Sequence, residues 1–228
     1  DTGMHRNGVK IDELEAACEL ITKNGLSLHS LFTHFNSADE ISGDFFYQKR
    51  NFDDVKSRFG ELARRYSLPK VRFHSCNSAG LLRCGKFDED FARVGIAMYG
   101  YCDLPAAFGD FALRPVLELF AERISTRELE KGQRVGYGGA FTAEQSMVSS
   151  LYDTGYSDGL FRYDGKGGLR TTDGSLMLGR VSMDSLSINS DKDEISIFND
   201  VRGWAKHFNT ISYDVLVKLN PKIERVFI

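Results

Sequence analysis

Along the first part of the chain the apolar positions alternate between two periods. Ile11, Leu14, Ala17, Cys18 and Ile21 recur at helical spacing, with Asp12 and Glu13 suited to a first turn and Gly25 to a stop, which predicts an amphipathic helix. Leu28 to Phe35 reads as a short, largely apolar strand. Phe52, Val55, Phe59, Leu62 and Tyr66 then lay a second helical stripe, which ends before Pro69 because a proline ring cannot continue a helix. Val71 to His74 predicts the next strand, Asn77 to Arg83 a short helix, and Val94 to Tyr99 a third strand. Helices alternating with strands that end in polar or glycine residues specify an α/β unit, a parallel sheet with helices outside it.

Beyond Pro105 the pattern changes. Val116 to Ile124, Ser146 to Leu151, Leu176 to Val181, Leu186 to Ile188 and Ile195 to Phe198 are short apolar runs separated by Gly, Asp and Ser turns, which predicts a mainly β domain. Helices are expected from Val201 to Phe208 and from Tyr213 to Leu219, where Thr210 or Ser212 offers a cap. The chain therefore divides into residues 1–113 and 114–228. Only about three parallel strands fit ahead of the β domain, too few to close a barrel. An open half would leave strand edges and helix stripes without partners, so the first domain is expected to be an incomplete barrel.

Composition narrows the function classes. With 228 residues and 42% hydrophobic content the chain can bury a real core in one large or two medium domains. A net charge of −3, with both signs mixed along the length, lacks the basic face of a nucleic-acid binder and favours a small-molecule partner. No apolar run is long enough to span a bilayer and no signal pattern is evident, so the expected compartment is the cytosol, without membrane attachment. Cys18, Cys76, Cys84 and Cys102 form no C-x-x-C, and His5, His29, His34, His74 and His207 show no ligand spacing; reduced thiols and no metal are expected.

His74-Ser75-Cys76-Asn77-Ser78-Ala79-Gly80 follows a strand and opens a helix. Such a junction offers free N–H groups, a hydroxyl and a positive dipole end to a phosphate, although Ser78 is equally readable as a helix cap. Arg93-Val94-Gly95-Ile96 brings a second glycine to a predicted strand terminus, where a backbone can approach a ligand closely. Paired sites of this kind are how a barrel holds a cofactor phosphate.

Successive segments, in order, resemble the motifs of the alanine racemase family: Asp1 to Val9, Thr33-His34-Phe35, His74 to Gly80, Arg93 to Gly100, Val135-Gly136-Tyr137-Gly138, Gly155 to Gly159, Gly179 to Asp184 and Thr210 to Tyr213. The resemblance implies a pyridoxal 5'-phosphate (PLP) enzyme that interconverts L- and D-alanine and supplies D-alanine for peptidoglycan. It implies the second half of a PLP-binding (β/α)8 TIM-type barrel followed by a β domain, in a homodimer whose active sites are completed by the partner's β domain. Carried over by position, Asn77, Ser78, the backbone of Gly95 and Ile96, and the Tyr213 hydroxyl would hold the phosphate. Arg93 would face the pyridine nitrogen, its permanent charge keeping that nitrogen unprotonated and moderating the ring as an electron sink. Taken alone, Arg93 is also readable as a surface salt-bridge partner.

Racemisation needs a base on each face of Cα, and Tyr137 matches the family's tyrosine base, contributed from the neighbouring subunit. A phenol titrating near pH 10 needs cationic surroundings to act at neutral pH, which His34, and Arg93 through it, would supply. Arg6, the Met183 N–H and Asp184 would orient the substrate carboxylate. Tyr156, Asp158 and Arg162 look like the substrate entrance, with turn capping or a structural salt bridge as the competing account of Asp158 and Arg162.

The family's Schiff-base lysine lies upstream of the position matched by Asp1, and Lys10 and Lys23 are poor substitutes on or beside an exposed helix. Residues 1–228 are therefore expected to lack racemase activity alone. The alternatives are a non-catalytic dimerisation or binding module and a broader-specificity amino-acid racemase; a decarboxylase of the same barrel type fits less well, because it lacks the Tyr137 and Met183-Asp184 motifs. Nothing in the sequence separates alanine from serine as substrate, which differ by one hydroxyl.

Overall fold

The computed structural model describes residues 1–227 and contains two compact units, Asp1–Arg114 and Pro115–Ile228. In the first, a 3-10 turn leads into helix α1, Leu14–Lys23. The helix stops where Gly25 takes a left-handed conformation (φ 61°), and Leu26 N–H and the Asn24 side chain satisfy the carbonyls of Ile21 and Leu20. α1 buries Leu14 and Cys18 against Phe59 and Leu62 of α2, Asp44–Arg65, with Val71 closing the cluster. Burial follows the helical period along α2, through Phe45, Gln48, Phe52, Phe59 and Leu62.

Strands β1, Ser30–Phe32, and β2, Arg72–His74, pair in parallel, with Phe32 opposite His74. That register sets the ends of both strands, Thr33-His34 and Ser75-Cys76, side by side. Helix α3, Ser78–Cys84, follows β2 and is capped by Asn77, whose Oδ1 accepts the Gly80 N–H at 2.8 Å.

The expected third strand at Val94–Tyr99 does not form. The stretch just before it runs beside β2, with the N–H groups of Asp90 and Arg93 donating to the carbonyls of Phe73 and Cys76. Its next donors then turn away: the N–H groups of Gly95 and Ala97 go to the Ser78 hydroxyl, and Ile96–Tyr99 closes as a 3-10 turn. A ladder needs those N–H groups, so the side-chain acceptor and the turn replace it.

The second unit is built on a five-stranded antiparallel sheet. Its strands are β3 (Leu119–Leu129), β6 (Met147–Tyr152), β7 (Met177–Leu178), β8 (Leu186–Ile188) and β9 (Glu194–Phe198), in the order β7-β8-β6-β3-β9. β3 begins later and runs further than its predicted Val116–Ile124, because the pairing of Thr126 to Leu129 with β6 carries it through a polar stretch that has no apolar alternation to announce it. β7 is shorter than expected, since Gly179 at φ 72° breaks the extended run. Tyr152, fully buried, donates its hydroxyl to the Lys192 carbonyl. A small hairpin of β4 (Arg134–Val135) and β5 (Phe141–Thr142) flanks a glycine-rich turn. α4, Arg202–His207, packs Trp204 on Phe198. α5, Ser212–Lys218, has Ile211 at its N-cap, and the Thr210 hydroxyl bonds the Asp214 carboxylate rather than a backbone N–H.

Candidate active site

In the first unit, Arg93 gathers the ends of the two parallel strands. Its guanidinium donates to the carbonyl oxygens of Thr33 (2.7 Å), His74 (3.2 Å) and Ser75 (3.2 Å), to His34 Nδ1 (3.3 Å) and to His74 Nδ1. All these contacts use the two terminal nitrogens, and the Nε–H has no partner among the described residues. Phe32 lies beneath the guanidinium at 5.1 Å. No carboxylate pairs with Arg93 in an ion pair among the described residues, so the salt-bridge reading of this residue gives way to a carbonyl-and-imidazole cage. The cage is half-buried, and burial lowers the guanidinium's pKa, with Glu89 acting the other way.

Both imidazoles in the cage are held below the usual histidine range. For His34 the causes are burial, then Arg93, then Arg6; for His74 they are burial, Arg93 and Arg72, opposed by Asp90. A neutral imidazole accepting at Nδ1 must carry its proton on Nε2. His34 therefore presents an Nε2–H, and the positive charge of this site resides on Arg93 rather than on His34. His74 is fixed between the rings of Phe32 and Phe91, with Nε2 3.3 Å from Ser30 Oγ.

Sequence reasoning assigns His74 no role beyond its place in a motif. Its signal is its position at a strand end, but only the backbone bonds that lay Asp90 to Arg93 along β2 put it against Arg93. Arg6 is exposed and close enough to His34 to act on its titration. The loop that carries Arg6 is anchored by Asp1 Oδ1, which accepts the N–H groups of Gly3, Met4 and His5, and by the Thr2–Thr33 hydroxyl contact at 2.6 Å.

Beside this cage lies an anion cradle. Because Asn77 is the cap, the Ser78 hydroxyl is released from that duty. Its oxygen accepts from Gly95 N (3.0 Å) and Ala97 N (3.3 Å), occupying both lone pairs and leaving the O–H proton to donate outward. The Ile96 N–H has no partner among the described residues, and nothing lies within 4 Å of the place a Gly95 Cβ would take. Two donors without an acceptor among the described residues, next to a glycine backbone with room where a Cβ would stand, fit a phosphate.

In the second unit, Tyr137 stands in the turn between β4 and β5, 66% exposed. The turn requires glycine: Gly136 and Gly138 have φ of 76° and 67°, and a Cβ on Gly179 would come 2.7 Å from the Val135 carbonyl oxygen. The segments holding Tyr137 and Arg180 thereby pack together, lining a shallow groove with Ser182. The loop of Tyr156 and Asp158 meets Met183 and Asp184 in turn. Tyr156 N–H donates to Ser182 O and Ser157 N–H to Met183 O (2.7 Å), and a Cβ on Gly155 would collide with the Met183 carbonyl. Asp158 Oδ2 accepts the Gly155 N–H at 2.9 Å, which is turn chemistry; Arg162 is exposed without an ion pair among the described residues. Tyr213, in the first turn of α5, is half exposed.

The family model "Alanine racemase, N-terminal domain" matches residues 1–103, and "Alanine racemase, C-terminal domain" matches 116–227. An alanine racemase of Nitratiruptor sp. is 48% identical over 228 residues, covering 100% of this chain and 67% of the relative. One from Campylobacter jejuni subsp. jejuni is 49% identical over 229 residues, 100% of this chain and 66% of the relative. Among solved structures, alanine racemase from Clostridium difficile 630 superposes with a TM-score of 0.85 at 26% identity, over 100% of this chain and 63% of that one. Alanine racemase from Streptomyces lavendulae gives 0.82 at 26%, over 100% and 64%. The chain thus spans about two thirds of the length of the curated relatives it matches.

Proposed function

The chain belongs to the alanine racemase family, and from that membership we propose that it carries the phosphate cradle and the tyrosine base of a PLP-dependent enzyme interconverting L- and D-alanine. Its fold is that of the family, part of a (β/α)8 barrel followed by a mainly β domain.

The observation that carries the reading is the pairing of the Ser78–Gly95–Ile96 cradle with a caged arginine whose Nε–H is unengaged among the described residues. PLP, when bound, supplies the electron-withdrawing ring that acidifies the Cα–H of an amino acid. Ser78 O–H and Ile96 N–H would hold its phosphate, with Asn77 fixing the helix start and the Gly95 backbone giving room, and the Tyr213 hydroxyl is the further donor this reading assigns. Arg93, its Nε–H unengaged among the described residues, would face the pyridine nitrogen and, being charged, would keep it from taking a proton.

Tyr137 takes or returns the Cα proton at its phenolic oxygen on one face, reaching the site of a partner in a homodimer. The His34 Nε2–H is the donor that stabilises the phenolate, polarised by Arg93 through Nδ1. Arg6, the Met183 N–H and Asp184 orient the alanine carboxylate, and Tyr156, Asp158 and Arg162 shape the approach. No lysine of residues 1–228 is assigned to carrying the cofactor.

Titration with a reduced phosphopyridoxyl-alanine adduct, which needs no lysine to bind, tests the cradle. Saturable binding that weakens about tenfold in Ser78→Ala, one charge-assisted hydrogen bond's worth, supports it; the absence of saturable binding, or indifference to Ser78→Ala, refutes it. For Tyr137→Phe in the racemising protein, solvent deuterium exchange at Cα should fall about 100-fold or more from one enantiomer only. Equal rates in both directions would sink the assignment.

A further inference from the structure

The first unit contains a thiol pair that neither the cradle nor the arginine cage uses. Cys76 lies just past β2 and Cys84 is the last residue of α3, and the helix folds back so that their sulfurs stand 3.8 Å apart. Cys76 is buried among Phe35, Ala38 and Phe45, whereas Cys84 is partly exposed at the edge of that cluster. We propose that Cys84 and Cys76 form a peroxide-oxidisable pair, with Cys84 the attacking thiol and Cys76 the resolving one, closing a disulfide across α3.

Access and charge assign the two roles. Cys84 is the sulfur a small oxidant can reach. The hydrogen bond with Cys76 and the ammonium of Lys49 outweigh burial and the carboxylates of Glu89 and Asp88 and hold it at about 7, below the usual thiol range, while Cys76 is pushed up by that same hydrogen bond and by burial. Cys18 and Cys102, by contrast, are both raised by burial and nearby carboxylates.

The chemistry balances with hydrogen peroxide as the oxidant. The Cys84 thiolate attacks one peroxide oxygen, the O–O bond breaks, and the departing hydroxide takes a proton to become water, leaving a sulfenic acid. Cys76, giving up its proton, attacks the Cys84 sulfur; the S–S bond forms, the S–O bond breaks, and a second water leaves. Two thiols lose two electrons and one peroxide becomes two waters.

The bond is also coupled to the cradle. Closing the sulfurs from 3.8 Å to about 2.05 Å requires one of them to move. Cys76 is joined through Asn77 to Ser78, and its carbonyl accepts the Arg93 N–H at 2.9 Å. Oxidation should therefore loosen the hydrogen bonds from Gly95 and Ala97 to Ser78, a readout independent of whether PLP binds.

The test exposes the full chain to stoichiometric hydrogen peroxide, blocks remaining thiols with iodoacetamide and maps the peptides. The expected result is a fall from four alkylated cysteines to two, a Cys76–Cys84 crosslinked peptide, and full reversal by dithiothreitol. Cys76→Ser should stop at a dimedone-trapped adduct on Cys84, and Cys84→Ser should leave Cys76 alkylatable. A wild-type chain with both thiols still free, or a bridge involving Cys18 or Cys102, would overturn the proposal. Amide exchange at Gly95 and Ala97 should quicken at least about tenfold in the oxidised form; equal exchange in both forms would refute the coupling to the cradle.

Discussion

Replacing Arg93 with methionine removes every donor of the cage while keeping much of the stem's volume. The guanidinium serves three carbonyl oxygens and two imidazole nitrogens, and the three carbonyls belong to residues no more than 6% exposed, Thr33, His74 and Ser75. Hydrogen bonds to a charged donor contribute about 1.5–3 kcal/mol each when broken singly. They share one side chain that is only half-buried, so they do not add in full, and the expected loss is about 3 kcal/mol. Urea unfolding followed by far-UV circular dichroism reports this, because α1 and α2 of the first unit are the longest helices. The fluorescence of Trp204, the chain's single tryptophan, reads the second unit separately. Arg93→Lys should recover only part of the loss, since an ammonium cannot reach five acceptors in a planar fork. The same Arg93→Met change withdraws a cation that lowers both histidines, so the His34 and His74 ring resonances should titrate at higher pH. A loss under about 1 kcal/mol, or unmoved histidine titrations, would refute the cage as described.

Three further outcomes rest on the same geometry. His34 and His74 are depressed in the folded chain, so the unfolded chain binds more protons near neutrality; stability should be fully present above about pH 6.5 and fall as pH drops through the folded-state values. Urea midpoints that rise on acidification over this range would contradict that sign. Gly159→Ala should cost about 3 kcal/mol in the Trp204 transition, because φ is 98° and the new Cβ would strike the Lys218 carbonyl and the Leu219 Cα; an unchanged midpoint would show that the loop shifts freely. Ser78→Ala should cost about 1–2 kcal/mol and speed amide exchange at Gly95 and Ala97, which lose their acceptor; unchanged exchange would mean that those bonds are not formed in solution.

Legibility in the sequence tracks how local each interaction is. The amphipathic stripe of α1, its acidic start and its Gly25 stop involve near neighbours, and they can be read directly. So can the Asn77–Gly80 junction as a helix start, although the choice between Asn77 and Ser78 as cap depends on where the Gly95 loop passes. The third strand fails as an expectation for the same reason: Val94–Tyr99 has strand composition, but a hydroxyl from α3 captures its donors. Polar β3 residues such as Thr126 to Glu128 carry no strand signal because their extended conformation is imposed by pairing with β6.

Short stretches of the chain are enough to establish the family, the order of an α/β unit and a mainly β unit, and which residue types stand at the strand ends, because periodicity, turn chemistry and motifs are all written locally. Which of those residues act together is settled only by folding. Phe32 opposite His74 is a matter of parallel register, and that register together with the backbone bonds that lay Asp90 to Arg93 along β2 puts His34, His74 and Arg93 into one cage, leaves the histidines neutral and places the charge on the arginine. Contacts between positions so far apart along the chain have no local signature, since what selects them is burial and hydrogen-bond satisfaction across the folded molecule rather than any preference of the residues in isolation.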